Sequence, residues 1–380
     1  MEVKFVMTIK HKAFKFRLYP NLEQANKIKQ TIGCSRLVYN QFLDFKIYDY
    51  KTNKTSNSYN ACSKLLTKLK LALPFLKEVD KFALQNSLKH LNSSYENFFK
   101  NGFGFPKFKS KHNPINSYTT NFTNNNIKIL DKHIQLPKVG KVKYKGYKNN
   151  NIGAYKIISA TVSRNNLNQY YCSICCEVNI TPLPTLTKEV GIDLGVKTFA
   201  TLSDGKIISN PRTLFKYEKK LKKQQRKLSK KEKGSKNREK QRLKVAKIHQ
   251  KIANIREDFL QKETTKIINE NQVICIEDLS VKSMMMSDKY KNLAKELANV
   301  SLNRAVTMLS YKADWYGRKL IKVDRYYPSS QLCNCCGYKN TTLDINDRQW
   351  VCPSCKSKLD RDYNASLNIL TEGLRISHSS

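Results

Sequence analysis

Two pairs of closely spaced cysteines near the C-terminus constrain the fold of this chain more than any other feature. The sequence reads Cys333-x-x-Cys336, then fifteen residues, then Cys352-x-x-Cys355. Each pair can turn back so that both thiolates face one point, and two pairs about 15–20 residues apart are a strong zinc signal. Four thiolates make a closed tetrahedral site with no position for water. We therefore predict a structural zinc ribbon over about 329–358.

The surrounding cysteines leave two alternatives open. Cys335 lies inside the first pair and competes with Cys333, although the pattern Cys-x-x-Cys-Gly favours Cys333 and Cys336. The chain has 11 cysteines, and its first residues, MEVKFVMTIKHKAFKF, contain no unbroken apolar stretch like that of a secretory signal. Without such a signal, cysteines are expected to be free or metal-bound. Free or disulfide-bonded cysteines are the alternative to the zinc site.

The charge of the chain indicates its partner. The 380 residues include 70 Lys and Arg against 30 Asp and Glu, a net charge of +40. Such a surface repels itself unless a polyanion neutralises it, and nucleic acid does so with release of counterions. This charge argues against an ordinary small-metabolite enzyme. Apolar runs fall far short of the ~20 residues of a membrane helix, so no membrane partner is expected.

The N-terminal half is predicted to be a β-rich module with a helical insert. β-branched and aromatic residues favour one or two strands over 3–19, and further short strands follow the insert. Apolar residues at three- to four-residue spacing predict helices over about 21–100, the first of which ends at Gly33. A Pro-x-Pro stretch at 182–184 marks the end of the module. At this length, about two to three domains are expected.

A segment that follows the helical insert mixes aromatic rings with lysines. It reads NGFGFPKFKSKHNPINSYTTNFT over 101–123. Basic residues beside exposed rings suit a nucleic-acid surface, because the charges bind phosphates and the rings stack on bases. A loop whose rings face inward is the alternative, and the sequence leaves both open.

The C-terminal half alternates strands and helices. EVGIDLGVKTFATLSDGKII at 189–208 predicts three strands, with a hairpin turn at Asp204-Gly205. A helical pair broken near Gly234 is expected over about 212–270, and 272–279 reads as a short buried strand. There follow a helix near 290–318, a strand at Lys319–Val323, the cysteine cluster, and a last helix that opens at Asp362 with an apolar face of Tyr363, Leu367, Leu370 and Leu374.

The helical pair carries much of the positive charge. Residues 216–251 contain 17 Lys or Arg and 3 Glu. This excess indicates a nucleic-acid surface. A solvated charged helix is the alternative.

Three acidic residues stand out by their positions. Asp193 lies in a predicted strand between Gly191 and Gly195, which share its face and leave room for something to approach. Glu277 ends an apolar strand, where a lone carboxylate is costly to bury, and Asp362 opens the last helix. Brought together, these carboxylates would raise one another's pKa, and Mg²⁺ would reverse that effect. Two such ions can clamp the attacking and leaving oxygens of a phosphodiester.

Each acid also has a simpler interpretation. Asp193 could belong to a turn, Glu277 could be a surface acid with Asp278 as the rival ligand, and Asp362 could be only a helix N-cap. However, acids on the first strand, a middle strand and the last helix follow a ribonuclease-H-like order of elements. That order favours the three acids as one set.

These motifs, in this order, resemble the TnpB family of transposon-encoded proteins, which are similar to compact type V CRISPR effectors. The resemblance covers almost the whole chain. It rests on an ordered set of motifs, which is more specific than any single member: F-R-L-Y-P at 16–20, I-G-C-S-R-L-V-Y-N at 32–40, G-F-P-K-F-K-S-K at 104–111, G-I-D-L-G at 191–195, I-E-D-L at 276–279, P-S-S-Q-x-C-x-x-C-G at 328–337, C-P-x-C at 352–355 and D-R-D-x-N-A at 360–365.

The resemblance implies two domains. Residues 1–185 would form a β-barrel wedge module with a helical recognition insert at about 21–100. Residues 186–380 would form a RuvC-like nuclease domain that holds the basic helical pair and the zinc ribbon. The family's three RuvC carboxylates match Asp193, Glu277 and Asp362, the last in preference to Asp360.

The resemblance also implies the function. A guide RNA from the transposon end would pair with a double-stranded DNA target beside a short motif read by the protein, and the basic helical pair would face the heteroduplex or guide scaffold. We expect a Mg²⁺-dependent, RNA-guided DNA endonuclease of a mobile element, in the cytoplasm or nucleoid of a prokaryotic host. The alternatives are an RNA-guided regulator that binds without cleaving, a transposase, and a non-catalytic RNA-binding protein with a zinc ribbon.

Overall fold

The computed structural model describes residues 8–111, 116–146, 152–280, 300–344 and 347–378. The chain divides into two compact units. One runs from Ile9 to Asn179, and the other comprises the chain from Ile180 together with Thr8.

The first unit is built on a seven-stranded sheet. Its strands are β1 Thr8–Tyr19, β2 Asn116–Asn121, β3 Lys128–Ile129, β4 His133–Leu136, β5 Gly140–Lys145, β6 Lys156–Arg164 and β7 Tyr170–Ile180. They lie in the sheet in the order β2-β6-β7-β1-β5-β4-β3. In β1 alternate residues are buried (Phe14, Phe16 and Leu18), the pattern of a strand with one face on a core. Part of the strand expected over 3–19 lies outside the described residues.

Three helices lie between β1 and β2, as the sequence predicted: α1 Leu22–Asn53, α2 Tyr59–Ala72 and α3 Lys81–Asn101, with a 3₁₀ turn at Pro74–Lys77. Helix α1 begins with a capping box, in which Asn21 Oδ1 accepts from the Gln24 N–H at 2.8 Å. The helix end predicted at Gly33 is wrong. The buried face continues past it through Cys34 and Val38, and this packing outweighs the low helix propensity of one glycine.

The second unit is built on a five-stranded mixed sheet. Its elements are β8 Glu189–Leu194, β9 Thr198–Leu202, β10 Ile207–Ser209, α4 Thr213–Ser229, α5 Lys236–Glu270, β11 Val273–Glu277, α6 Leu302–Tyr316, β12 Lys319–Val323, β13 Gln349–Val351, β14 Lys358–Asp360 and α7 Arg361–His378. The strand order in the sheet is β10-β9-β8-β11-β12. Strands β8, β11 and β12 run parallel, and β9 and β10 extend the sheet as antiparallel hairpin strands. Part of the helix expected near 290–318 lies outside the described residues.

Helix α7 packs very closely on this sheet. A Cβ on Gly191 of β8 would lie 2.1 Å from the Ser366 carbonyl oxygen and 2.6 Å from the Leu370 nitrogen. A Cβ on Gly373 would lie 2.3 Å from Cys275 Sγ of β11. The room beside Gly191, expected from the sequence, is therefore filled by the backbone of α7.

The apolar face predicted for α7 is wrong, apart from Leu370, which packs beside Ile369. Tyr363 is exposed, and Leu367 and Leu374 are only partly buried. Small residues face the sheet because the helix lies so close to it. The side chains of two buried asparagines, Asn364 and Asn368, hydrogen-bond to the backbone of the ribbon. The buried residues of α7 are Asn364, Ala365, Ser366, Asn368, Ile369 and Gly373.

The basic helices α4 and α5 form a hairpin with its own small core. Leu221 of α4 packs against Val245, Ile248 and Ile252 of α5. Most lysines of the pair lie on the exposed faces. None of the helices that the structure describes is long and apolar enough to cross a membrane.

Candidate active site

Three carboxylates converge at one edge of the five-stranded sheet. Ile276 of β11 pairs in parallel register with Ile192 of β8, so the next residues, Glu277 and Asp193, lie side by side. Helix α7 packs across both strands and carries Asp362 in its first turn. Burial, and then the charges of Glu277 and Asp362, raise the pKa of Asp193 to about 8. The structure therefore brings together the three acids that the sequence singled out.

The other two acids differ in their surroundings. Burial raises the pKa of Glu277, and a hydrogen bond from Ser329 Oγ to its Oε1 partly offsets that rise. Asp362 accepts from Arg348 Nη1, which lies 3.1 Å from Oδ1 and 3.2 Å from Oδ2. The backbone carbonyl of Arg348 is itself fixed by the Arg361 N–H at 2.8 Å. Arg348 thus places a positive charge beside the carboxylates, and the charges of Arg361 and then Arg348 partly offset the rise in the Asp193 pKa.

The rival acids have other partners. The Asp278 carboxylate is 45% exposed, with Arg325 Nη2 3.1 Å from Oδ2 and Lys322 Nζ 3.6 Å from Oδ1. Asp360 Oδ1 accepts from the Tyr363 N–H at 2.9 Å, which is the hydrogen bond of a helix cap. The capping role that the sequence left open for Asp362 therefore belongs to Asp360.

The donor set suits a hard divalent cation. Carboxylate oxygens are the ligands that Mg²⁺ takes in proteins, and a cation would relieve the repulsion that raises the Asp193 pKa. Among the described residues, the sulfurs of the four clustered cysteines all lie within 4.8 Å of one another, whereas the oxygens of the three acids do not all lie within this distance of one another. Arg348 supplies the positive charge that pairs with Asp362.

The four cysteines of the predicted ribbon also come together. Their Sγ atoms all lie within 4.8 Å of one another, with 3.6 Å between Cys333 and Cys355 and between Cys336 and Cys352. Thiolates about 2.3 Å from a common zinc ion are separated by similar distances. Cys335 is exposed and stands outside the cluster, with its Sγ 3.7 Å from Asn334 Oδ1.

The two cysteine turns have matching backbone geometry. The Gly337 N–H donates to the Cys333 carbonyl at 2.8 Å, and the Lys356 N–H donates to the Cys352 carbonyl at 3.0 Å. In both turns the residue that donates this hydrogen bond has a left-handed backbone conformation, with φ of 75° at Gly337 and 63° at Lys356. Glycine adopts this conformation without strain, whereas the second turn holds a lysine there.

Side chains outside the predicted site tie the ribbon to the carboxylates. Asn364, two residues after Asp362, accepts from the Asn334 N–H at 3.0 Å and donates to the Leu332 carbonyl at 2.6 Å. Asn368 donates to the Leu332 and Ser329 carbonyls, each at 2.7 Å. Sequence reasoning missed these roles. The only signal was that Asn364 and Ser329 lie inside the motifs D-R-D-x-N-A and P-S-S-Q.

Because the pKa of Asp193 is raised, the free energy of unfolding of the metal-free protein should depend on pH. The native carboxyl keeps its proton up to about pH 8, whereas the unfolded one loses it near 4, so stability should fall as pH rises between these values. Asp193→Asn should remove the contribution of this carboxyl to the pH dependence. The variant should also be more stable by about 2–3 kcal/mol at pH 8.5, which is roughly half of the value that about 1.4 kcal/mol per pKa unit gives, because Asp193 is partly exposed. Urea unfolding at pH 5 and 8.5 without Mg²⁺ measures both values.

Asp278→Asn is the matched control, because that carboxylate is surface-paired. An unchanged pH dependence in Asp193→Asn would contradict the electrostatic description of the site.

Comparisons with known proteins agree with the motifs. Three family models match the chain: "Probable transposase" of the OrfB type over residues 173–288, "Cas12f1-like, TNB domain" over 303–369, and "Helix-turn-helix domain" over 7–55. The last of these covers the strand β1 and the single long helix α1.

Two relatives match over nearly the whole chain. A Streptomyces pristinaespiralis protein named "Putative RNA-guided DNA endonuclease" is 37% identical over 96% of this chain and 90% of its own length. The Escherichia coli K12 protein named "Putative RNA-guided DNA endonuclease InsQ" is 32% identical over 95% of this chain and 92% of its own. The chain belongs to the TnpB family, as its motifs indicated.

A solved structure entitled "Cryo-EM structure of the Cas12f1-sgRNA-target DNA complex" is also similar. It covers 95% of this chain and 99% of its own, at 16% identity and a TM-score of 0.36.

Proposed function

We propose that this chain is an RNA-guided DNA endonuclease of a mobile element, whose C-terminal unit is a RuvC-like nuclease. The observation that carries the proposal is the convergence of Asp193, Glu277 and Asp362 at one sheet edge, where burial and then the charges of Glu277 and Asp362 raise the pKa of Asp193. The names of the two full-length relatives support the same activity. A regulator that only binds DNA would not need this costly arrangement.

The proposal assigns a role to each part of the chain. Residues 1–185 act as a wedge module with a helical recognition insert, and residues 186–380 act as the nuclease. The basic hairpin of α4 and α5 holds nucleic-acid backbones, and a guide RNA from the transposon end selects the double-stranded DNA target by base pairing. This division of labour suits a chain with a net charge of +40, because phosphate binding carries no sequence information.

At the site, Asp193, Glu277 and Asp362 would hold Mg²⁺. Bound divalent cations supply a clamp on the attacking and leaving oxygens of the phosphodiester. Ser329 fixes one oxygen of Glu277, and Asn364 fixes the first turn of α7 against the ribbon. Arg348 acts as the counter-ion of Asp362 before the cation binds.

The ribbon is proposed to bind one structural zinc ion through its four clustered cysteines. Hydrogen bonding with Ser357 lowers the pKa of Cys355 to about 6, which favours the thiolate that metals bind, whereas burial raises the pKa of Cys333 to about 12, a cost that a cation would offset.

Cys352→Ser should therefore lose zinc and destabilise the C-terminal unit, because a closed zinc site contributes directly to folding. Elemental analysis of the purified protein should give about one zinc per chain for wild type and none for the variant. Cys335→Ser is the matched control and should keep its zinc. The reverse pattern would show that Cys335 is a ligand.

The experiment that tests the function changes the guide. The RNA that co-purifies with the protein is sequenced, its guide segment is replaced, and a plasmid library with a randomised motif beside the new target is offered with Mg²⁺. Cleavage should move to the new target and should require one adjacent motif. DNA binding that follows the guide without any cleavage would favour the regulator, and cleavage independent of the guide would favour a transposase.

A further inference from the structure

The last residues of α3 and the segment that follows it expose four phenylalanine rings, and we call residues 99–111 the aromatic loop. The exposed fractions are 74% for Phe99, 64% for Phe103, 45% for Phe105 and 56% for Phe108. Scattered single apolar residues on a surface need no explanation, but a contiguous group usually marks an interaction site. The sequence left open whether the rings of residues 101–123 face inward. Phe103, Phe105 and Phe108 are exposed, whereas Tyr118 is buried.

The aromatic loop is held in place rather than loosely attached. Phe98 and Phe105 meet edge to face at 5.4 Å, and Tyr95 meets Phe105 at 5.7 Å. At the other end, the Asn40 amide of α1 donates to the Lys109 carbonyl at 2.9 Å and accepts from the Lys109 N–H at 2.8 Å. This two-bond clamp joins the motifs at 32–40 and 104–111. The loop is therefore anchored at Phe105 and at Lys109, on either side of Phe108 and close to Phe103.

Basic groups surround a cavity beside the clamp. The cavity has a volume of about 190 Å³, and its lining includes Arg36, His90 and Lys109 together with several serines. None of the described residues that line it is acidic. Burial lowers the pKa of Lys109, and burial with the Lys109 charge lowers that of His90. An anion in the cavity would relieve both costs.

We propose that the aromatic loop and its basic cavity form a binding surface for a single-stranded segment of RNA, with bases stacked on the exposed rings and a backbone phosphate in the cavity. The proposal rests on the proposed function, because it names where an unpaired part of the guide RNA binds.

Charge and ring exposure together identify this partner. From Lys100 to Lys111 the chain carries four lysines and no acidic residue, which suits a polyanion and not an apolar protein surface. Stacking needs the open face of a base, which a duplex conceals and a single strand presents. The pairing of exposed aromatic rings with phosphate-binding groups is the arrangement that proteins use for single strands.

The test separates stacking from charge. Binding of a labelled, mixed-sequence 20-nucleotide RNA, single-stranded or annealed to its complement, is measured by fluorescence anisotropy over a salt series with the full chain. Phe103→Ala/Phe108→Ala should weaken single-strand binding by about 10- to 100-fold with an unchanged salt slope, because stacking releases no counterions. Duplex binding should not change.

The second variant, Arg36→Ala/Lys109→Ala, tests the contribution of the basic side chains. This variant should lower the slope of log K against log salt for the single strand by about 0.7 per lost phosphate contact. The backbone clamp to Asn40 survives it. Tyr48→Ala is the matched control, because Tyr48 is 66% exposed on α1 in the same unit, and it should leave all values unchanged.

Two outcomes would overturn the inference. In the first, Phe103→Ala/Phe108→Ala keeps its affinity for single-stranded RNA while its melting temperature is unchanged. In the second, its affinity for duplex RNA falls as much as its affinity for the single strand. If wild-type protein binds no RNA at all, the proposed function itself fails, and the two failures are therefore distinct.

Discussion

Asp193→Ala, Glu277→Ala and Asp362→Ala should each lower the rate of cleavage of a guide-matched duplex by at least about 1,000-fold. The charges of Glu277 and Asp362 act on Asp193, and under the proposal the three acids hold the cations together, so the loss of any one should leave the scissile phosphate without a complete clamp. Binding of RNA and of target DNA should persist, since the positive surface is untouched. Single-turnover cleavage and gel-shift binding of the same preparations measure the two effects separately.

The chain supplies its own controls for this experiment. Asp278→Ala removes a surface carboxylate paired with Arg325, and Asp360→Ala removes a helix cap worth about 1 kcal/mol. Both should retain most of the activity. Double variants within the set of three should be no worse than the single ones, because the residues act as a unit. Cleavage that survives Asp193→Ala would rule out the RuvC-like mechanism.

The second large effect concerns Gly191. A Cβ at this position would lie 2.1 Å from the Ser366 carbonyl oxygen, and backbone atoms cannot move aside as a flexible side chain can. Gly191→Ala should therefore push α7 away from β8 and destabilise the unit by about 3 kcal/mol, at the upper end of overpacking costs. Because α7 carries Asp362, cleavage should fall as well. Urea unfolding and the cleavage assay measure the two losses.

Gly33→Ala is the matched control for that substitution. A Cβ at Gly33 in α1 would meet nothing within 4 Å, so the variant should be more stable by about 0.5–1 kcal/mol. Wild-type stability and full cleavage in Gly191→Ala would contradict the close packing of α7 and, with it, the placement of Asp362.

The sequence predicted well wherever local pattern and tertiary role agree. The strand at 272–279 is apolar and short, and it forms β11, which lies between the parallel strands β8 and β12. The cysteine spacing predicted four thiolates facing one point, because two short turns determine most of that geometry.

The errors arose where packing overrides local pattern. The predicted face of α7 is wrong apart from Leu370, because the helix meets a glycine on the sheet and small residues fill most of the contact. Asn364 and Asn368 are buried to hold the ribbon, and no periodicity predicts a buried asparagine. The ion pair between Arg348 and Asp362 joins residues 14 apart through the ribbon fold, which one sequence cannot show.

The most direct test of the central claim is to locate the metal. Crystals of the protein with guide RNA and target DNA would be grown with Mn²⁺, whose anomalous scattering distinguishes it from water. We expect a Mn²⁺ peak bounded by Asp193, Glu277 and Asp362, with Arg348 moved away from Asp362. A peak at Asp278, or a substrate-bound site in which Arg348 still pairs with Asp362 and no Mn²⁺ is present, would contradict the account.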